Sequence, residues 1–181
     1  KHVMAIKVGI NGYGRIGRRL AAMAQGFGMT VSAFDPYLSQ ADLPLEADLA
    51  AALARADHVS VHVPHSGKPL IGAAELAAIK PGATLINTAR GGVIDEVALA
   101  AALRGGRLGG VGLDVFATEP PVAQHPLFAF ENVILTPHIA GLTRKSAERM
   151  AVASVQNVMD HFAGRLDPAL VVNATEIGYR R

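Results

Sequence analysis

The sequence predicts an α/β fold with a doubly wound parallel sheet, three layers deep, and three observations carry that reading. Short apolar runs alternate with Ala- and Leu-rich stretches of helical spacing along most of the chain. A Gly-x-Gly-x-x-Gly run, Gly12, Gly14 and Gly17, joins the first apolar run to the first helical one. The residues with chemically versatile side chains fall just after the apolar runs, where a parallel sheet gathers its functional loops.

The elements follow in order. Lys7–Ile10 reads as a strand and Arg15–Gln25 as a helix, with Ile16, Leu20 and Met23 on one side and Gly26 and Gly28 ending it. Thr30–Phe34 is a second strand, closed by Asp35. Pro36–Leu45 reads as a loop with one short edge strand, and Leu45–Ala56 as a helix. A strand at His58–Val63 stops at Pro64, a short helix at Ala73–Ile79 ends at Pro81 and Gly82, and Ala83–Thr88 is a buried strand. Asp95 is placed to cap a helix reaching Leu103, which Gly105 and Gly106 stop. Val111–Val115 is a strand, Phe116–Asn132 a long proline-rich loop, and Val133–Thr136 the last strand. Thr143–Phe162 reads as a long helix ended by Gly164 and Pro168, and Ala169–Asn173 as an extended tail. Right-handed crossovers turn this order into a sheet with helices on both faces. Structure is expected to start at Ala5. Residues 5–165 form the expected domain and 166–181 a tail.

Composition narrows the function. The 181 residues suffice for one sizeable core, and half are hydrophobic. The formal charge is +2, with Lys and Arg scattered and no aromatic interleaving, so nucleic acid is not an expected partner. Without cysteine the chain has no disulfide framework, thiolate metal site or thiol nucleophile; a cytoplasmic setting is compatible with that. No apolar run approaches a membrane span in length, and no metal site is expected.

The glycine run has a mechanical reading. The first glycine permits a tight turn, the second lets backbone approach a pyrophosphate, and the third lets helix and strand pack closely. The helix N-terminus offers free N–H groups to phosphates. Asp35 then stands where a carboxylate accepts hydrogen bonds from an adenosine ribose and repels a 2′-phosphate. The expected cofactor is NAD on a Rossmann-type domain. The competing reading, a glycine-rich turn that binds nothing, does not account for strand, helix, second strand and acid all falling in place.

Arg90 in INTARGGVIDE, Glu119 in GLDVFATEPP and His138 in LTPHIAGLT stand out next. Singly they read as a solvated arginine, a loop charge and an ordinary histidine. Together they suit one reaction on a 2-hydroxy or 2-keto acid. Arg90 offers a planar fork for the carboxylate. His138 gives or takes a proton near neutral pH, and Glu119 pairs with it and fixes its tautomer. A nicotinamide would carry the hydride. Asp114 is placed to accept a bond from the carboxamide. His62 would line the adenine side, while His2, His58, His65, His125 and His161 read as surface.

From about Gly28 to Gly164 the sequence resembles the cofactor-binding domain of the D-isomer-specific 2-hydroxyacid dehydrogenases, the group containing phosphoglycerate dehydrogenase and glyoxylate/hydroxypyruvate reductase. The matching motifs are FGMTVSAFDPY, ADHVSVHVP, LAAIKPGATLINTARGGVIDEVALAAAL, GGVGLDVFATEPP and NVILTPHIAG. The resemblance implies that Arg90 binds substrate carboxylate and that Glu119 and His138 form the acid/base pair. It implies NAD contacts from Arg15, Ile16, Asp35, Val63, Pro64, Thr88, Ala89, Arg90, Asp114, His138, Ala140 and Gly141. Glu119 argues against the formate dehydrogenase branch, which pairs its histidine with Gln. Ala5–Arg18 looks more like the start of glyceraldehyde-3-phosphate dehydrogenase, but without cysteine none of that enzyme's chemistry follows. The segment that builds the family's substrate domain ahead of the glycine turn is missing, and LVVN in the tail resembles the chain's return to it. The resemblance therefore implies a domain that binds NAD(H) alone, turns over little or no substrate, and pairs as a homodimer through the proline-rich arm. A non-enzymatic NAD-binding module, as in corepressors of the same family, is the alternative.

Overall fold

The computed structural model describes residues 6–179; Ala5, the expected start of structure, lies outside them. Six parallel strands form one sheet: β1 Lys7–Asn11, β2 Thr30–Phe34, β3 His58–Val61, β4 Thr84–Asn87, β5 Gly110–Leu113 and β6 Val133–Leu135. Their order is β2-β1-β3-β4-β5-β6, so the winding reverses at β1. A crevice therefore opens at the carboxyl ends of β1 and β3, where such sheets take their ligands. The helices are α1 Arg15–Gly26, α2 Leu49–Arg55, α3 Ala73–Ala78, α4 Glu96–Arg104 and α5 Arg144–Phe162.

Pairing register sorts the side chains into two faces. Ile10, Ser60, Ile86, Gly112 and Ile134 form one row across the sheet, and Asn11, Val61, Asn87 and Leu113 the next row. Successive strand residues point to opposite faces. Val8, Ile10, Val31 and Ala33 pack with Ala21 and Ala24 of α1. Val59, Val61, Leu85, Val111 and Leu113 pack with Leu53, Leu76, Leu99 and Leu103 of α2, α3 and α4. Helices thus lie on both faces, α1 over β1 and β2 on one and α2, α3 and α4 on the other, while Ile134 of the first row stays exposed.

Several boundaries move from their expected places, each for a visible reason. Residues 45–48 do not join α2. Leu45 bridges Ala33, Glu46 N–H donates to the Ala33 carbonyl, and Asp48 caps the helix by accepting from Ala51 N–H at 2.7 Å. That bridge is all that forms of the expected edge strand. The strand after Asp57 ends at Val61, which places His62 and Val63 in the loop above the sheet. Pro126–Ala129 is a 3-10 turn inside the proline-rich arm. The tail is not extended: Asp167 caps a 3-10 turn at Pro168–Leu170, and turns follow.

By its contacts the chain forms two units, residues 1–140 and 141–181. The second is built on α5, which starts from a reciprocal cap: Thr143 Oγ1 accepts Ser146 N–H at 3.0 Å while Ser146 Oγ accepts Thr143 N–H at 2.7 Å. Among the described residues no helix is long and apolar enough to cross a membrane.

Candidate active site

The glycine turn follows β1 directly. Gly12 has φ +93°, and a Cβ there would lie 2.7 Å from the His62 carbonyl oxygen and 2.8 Å from Val63 Cγ1. A Cβ on Gly17 would overlap the Gly12 carbonyl, so helix and turn pack at backbone contact. Gly14, at the N-cap of α1, faces open space, and no side chain caps that helix. Its first N–H groups therefore stay available to an anion. Asp35, at the end of β2, accepts from Tyr13 N–H at 2.9 Å and Tyr37 N–H at 3.0 Å. The expected ribose acceptor thus also fastens the glycine turn.

Two adjoining cavities share His62, Val63 and Pro64. One, of about 320 Å³, is lined also by Asn11, Gly12, Gly14 and Asp35. The other, of about 220 Å³, is lined also by Ile16, Thr88, Ala89 and Arg90. At the carboxyl end of β1 the carboxamide of Asn11 is buried with neither atom partnered. Glycines that exclude a side chain, an uncapped helix start and an Asp35 carboxylate with lone pairs left beside its two N–H bonds fit a dinucleotide. His62 follows its strand and bonds Ser60 Oγ at 2.9 Å through Nε2. Burial lowers its pKa from the ordinary histidine value, so it is neutral at pH 7.

Arg90 stands on the loop after β4, and Asn87 shapes that loop. Asn87 Nδ2 donates to the Arg90 carbonyl at 2.9 Å and its Oδ1 accepts from Ala89 N–H at 3.0 Å. The guanidinium is exposed, with Nη1 donating to the Ala89 carbonyl at 2.6 Å.

Asp114 ends β5 and organises the loop after β6. Its carboxylate accepts from Thr136 Oγ1 at 2.5 Å, Ile139 N–H at 2.8 Å and Ala140 N–H at 2.9 Å, and its carbonyl accepts from His138 N–H at 2.8 Å. His138 is held at φ +55°, a backbone conformation rare outside glycine. Burial alone would push the Asp114 carboxyl up. The Thr136, Ala140 and Ile139 bonds and the nearby His138 outweigh it and hold the group below the ordinary carboxylate range.

Glu119 meets His138 across this frame. Its Oε2 lies 2.8 Å from His138 Nδ1, and its Oε1 accepts from Phe116 N–H at 2.9 Å. The bond from His138, then that from Phe116, lower the Glu119 pKa. An ionised Glu119 only accepts, so His138 Nδ1 carries a proton toward it, and in a neutral ring Nε2 is the nitrogen that keeps its lone pair. The pair borders a mainly apolar cavity of about 540 Å³, lined also by Phe116, Phe128 and Thr136.

Asn11, Glu96 and His125 were not singled out by the sequence. Expected at the surface, His125 is largely enclosed: its Nε2 lies 3.1 Å from Glu96 Oε2, with side-chain exposures of 14% and 18%. Arg15 is exposed, and Gly141 opens the second unit. Among the described residues no three His, Asp or Glu side chains are grouped to hold a metal ion.

Residues 1–140 match the family described as "D-isomer specific 2-hydroxyacid dehydrogenase, NAD binding domain". The chain belongs to this family. The match includes the glycine turn, so the segment resembling glyceraldehyde-3-phosphate dehydrogenase lies inside the dehydrogenase domain. The (S)-sulfolactate dehydrogenase of Chromohalobacter salexigens is 48% identical over 158 residues, covering 83% of this chain and 51% of that protein. The TT0316 protein of Thermus thermophilus superposes with a TM-score of 0.85 at 40% identity, covering 91% of this chain and 53% of that one. The D-lactate dehydrogenase of Aquifex aeolicus, solved with NAD and lactic acid, superposes at 0.80 with 34% identity over 92% of this chain and 56% of that one. The chain spans about half the length of these relatives. As an NAD-binding domain of the D-2-hydroxyacid dehydrogenases, it takes NAD as its cofactor.

Proposed function

We propose that this chain supplies the cofactor site and the proton-transfer residues of an NAD-dependent enzyme that interconverts a D-2-hydroxy acid and its 2-keto acid. The observation that carries the reading is the 2.8 Å contact between Glu119 Oε2 and His138 Nδ1 at the edge of a dinucleotide domain. Gly12, Gly14 and Gly17 would hold the pyrophosphate with the N-terminus of α1, and Asp35 the adenosine ribose. Ile16, Val63, Pro64, Thr88 and Ala89 would line the dinucleotide's path, joined by Arg15, Asp114, Ala140 and Gly141.

Bound NAD(H) would supply the hydride chemistry. In the reducing direction His138 delivers a proton from Nε2 to the keto oxygen; in the oxidising direction it takes that proton from the hydroxyl. Glu119 holds Nδ1–H, keeps the ring oriented and stabilises the imidazolium that one direction requires. Arg90 holds the substrate carboxylate through its guanidinium fork. Retention of all three side chains supports an enzyme origin over a non-enzymatic module.

The domain is proposed to bind NAD(H) by itself and to turn over little or no glyoxylate or hydroxypyruvate, since it spans about half the length of its relatives. A homodimer through the proline-rich arm and a cytoplasmic setting belong to the same proposal. Nicotinamide fluorescence tests the cofactor half, and the chain has no Trp to interfere. NADH should saturate the wild-type chain and bind Asp35→Ala at least about tenfold more weakly. Supplying a substrate domain should restore turnover, which His138→Ala should abolish. Turnover at enzymatic rates by the domain alone, or undiminished turnover in His138→Ala, would refute the reading.

A further inference from the structure

The arm that carries Glu119 is clasped from below by one side chain of α4. Glu96 is the first residue of that helix, after the Asp95 cap. Its Oε1 accepts from Ala117 N–H at 2.7 Å, and its Oε2 meets His125 Nε2 at 3.1 Å. One carboxylate thus holds the arm on both sides of Glu119. His125 Nδ1 accepts from Leu127 N–H at 3.4 Å, so its proton sits on Nε2 and a neutral ring suffices to donate to Glu96. The His125 ring lies edge-on to Phe116, with centroids 5.5 Å apart and planes at 78°, and tilted against Phe128 at 5.6 Å.

The consecutive amides of Phe116 and Ala117 serve two different carboxylates. Phe116 N–H donates to Glu119 and Ala117 N–H to Glu96. Neither amide can turn without disturbing the other. Among the described residues the Glu119 carboxylate is otherwise fixed by His138 alone, and Glu119 is itself partly exposed. Without the clasp, the arm would leave a solvated Glu119 to choose among rotamers.

We propose that Glu96 and His125 are positioning residues for the Glu119–His138 pair, holding residues 116–125 so that the Glu119 carboxylate presents Oε2 to His138 Nδ1. The proposal rests on the reading of Glu119 and His138 as the proton-transfer pair. It assigns to Glu96 a role that its place in the first turn of a helix disguises, since acidic residues there are expected for the helix dipole alone.

The test is the tautomer of each histidine, read from ring ¹⁵N shifts of the chain at a pH where the imidazoles are neutral. In the wild type, His138 should be the Nδ1–H form and His125 the Nε2–H form. Glu96→Ala should move His138 toward the Nε2–H form usual for a solvated ring, while NADH affinity stays within about twofold. Glu96→Gln keeps an acceptor for Ala117 N–H but turns amide donors toward His125 Nε2–H, so its His138 should fall between the wild-type and Glu96→Ala forms. If Glu96→Ala does not fold, His125→Ala cuts the other end of the clasp and gives the same readout. A folded Glu96→Ala chain whose His138 keeps the wild-type tautomer would reduce the clasp to a fold staple and overturn the proposal. Glu119→Ala separates the two readings: with no acceptor left for Nδ1–H it should itself abolish the Nδ1–H preference. If it does not, the pairing of Glu119 with His138 fails, and this inference fails with it.

Discussion

The backbone of Gly91 lies so close to that of Phe116 that a Cβ on Gly91 would overlap the Phe116 carbonyl. This contact joins the loop bearing Arg90 to the arm bearing Glu119. Only glycine fits without parting them. Gly91→Ala should therefore cost about 1–3 kcal/mol, as an overpacked site does, measured by urea unfolding. The His138 tautomer should drift with it, while NADH still binds through the glycine turn.

Two carboxylates make the domain acid-sensitive. Asp114 and Glu119 both titrate below their ordinary values in the folded state, near 4 for the unfolded chain. Such groups contribute stability above the unfolded pKa and lose it as the pH falls through the folded one. Stability should therefore fall progressively below about pH 4. Asp114→Asn should flatten that acid limb and lower stability at pH 7 by about 2 kcal/mol, because an amide turns donors toward N–H groups that now find an acceptor. Urea curves across pH 3–7 check both parts; an unchanged acid limb in the variant would contradict the assignment.

Much of the frame was legible in the sequence, because local signals and global fold agree there. Glycine turn, helix α1, strand β2 and Asp35 fall where the pattern places them, since turn, cap and apolar spacing all act within a few residues. The Asp95 cap and α4 are equally local. Of the misplaced elements, one depends on a distant partner and the other on a competing local cap. Residues 45–48 have helical composition, but Ala33 captures their backbone first. The tail has β-branched residues, but Asp167 and Pro168 start a turn. The site divides in the same way. Arg90, Glu119 and His138 could be read as side chains following strands. The clasp on Glu119 could not, because Glu96 and His125 lie 29 residues apart and neither occupies a position that marks it locally. Asp114 reads from the sequence as an acceptor for the carboxamide; what the sequence does not show is that its carboxylate also accepts from Thr136, Ile139 and Ala140.

His62 should add a second, milder pH dependence. Burial depresses its pKa, so the folded state holds the ring neutral while the unfolded chain protonates near pH 6.5. The sign is that of a depressed group: stability is complete above about pH 6.5 and is lost as the pH falls below it. His62→Gln keeps a partner for Ser60 and cannot titrate. The difference in Tm between pH 7.5 and pH 5.5 should be smaller in this variant than in the wild type. An equal difference would assign the effect to another group.

Asn11 and Asn87 occupy the same row of the sheet, are almost equally buried, and should respond to the same substitution with opposite signs. Asn87 spends its carboxamide on Ala89 and Arg90. Removing it leaves a part-buried N–H and a carbonyl unpaired, so Asn87→Leu should cost about 1–2 kcal/mol and loosen the Arg90 loop. Asn11 has no partner for either atom among the described residues, so the desolvation cost of its amide is uncompensated there. Asn11→Leu, of similar shape and without polar atoms, should raise stability by about 1–2 kcal/mol. Two urea curves decide the matter. A destabilised Asn11→Leu chain would mean that the carboxamide is satisfied after all, and its partner would then have to be sought in the crevice it shares with Gly12, Asp35 and His62.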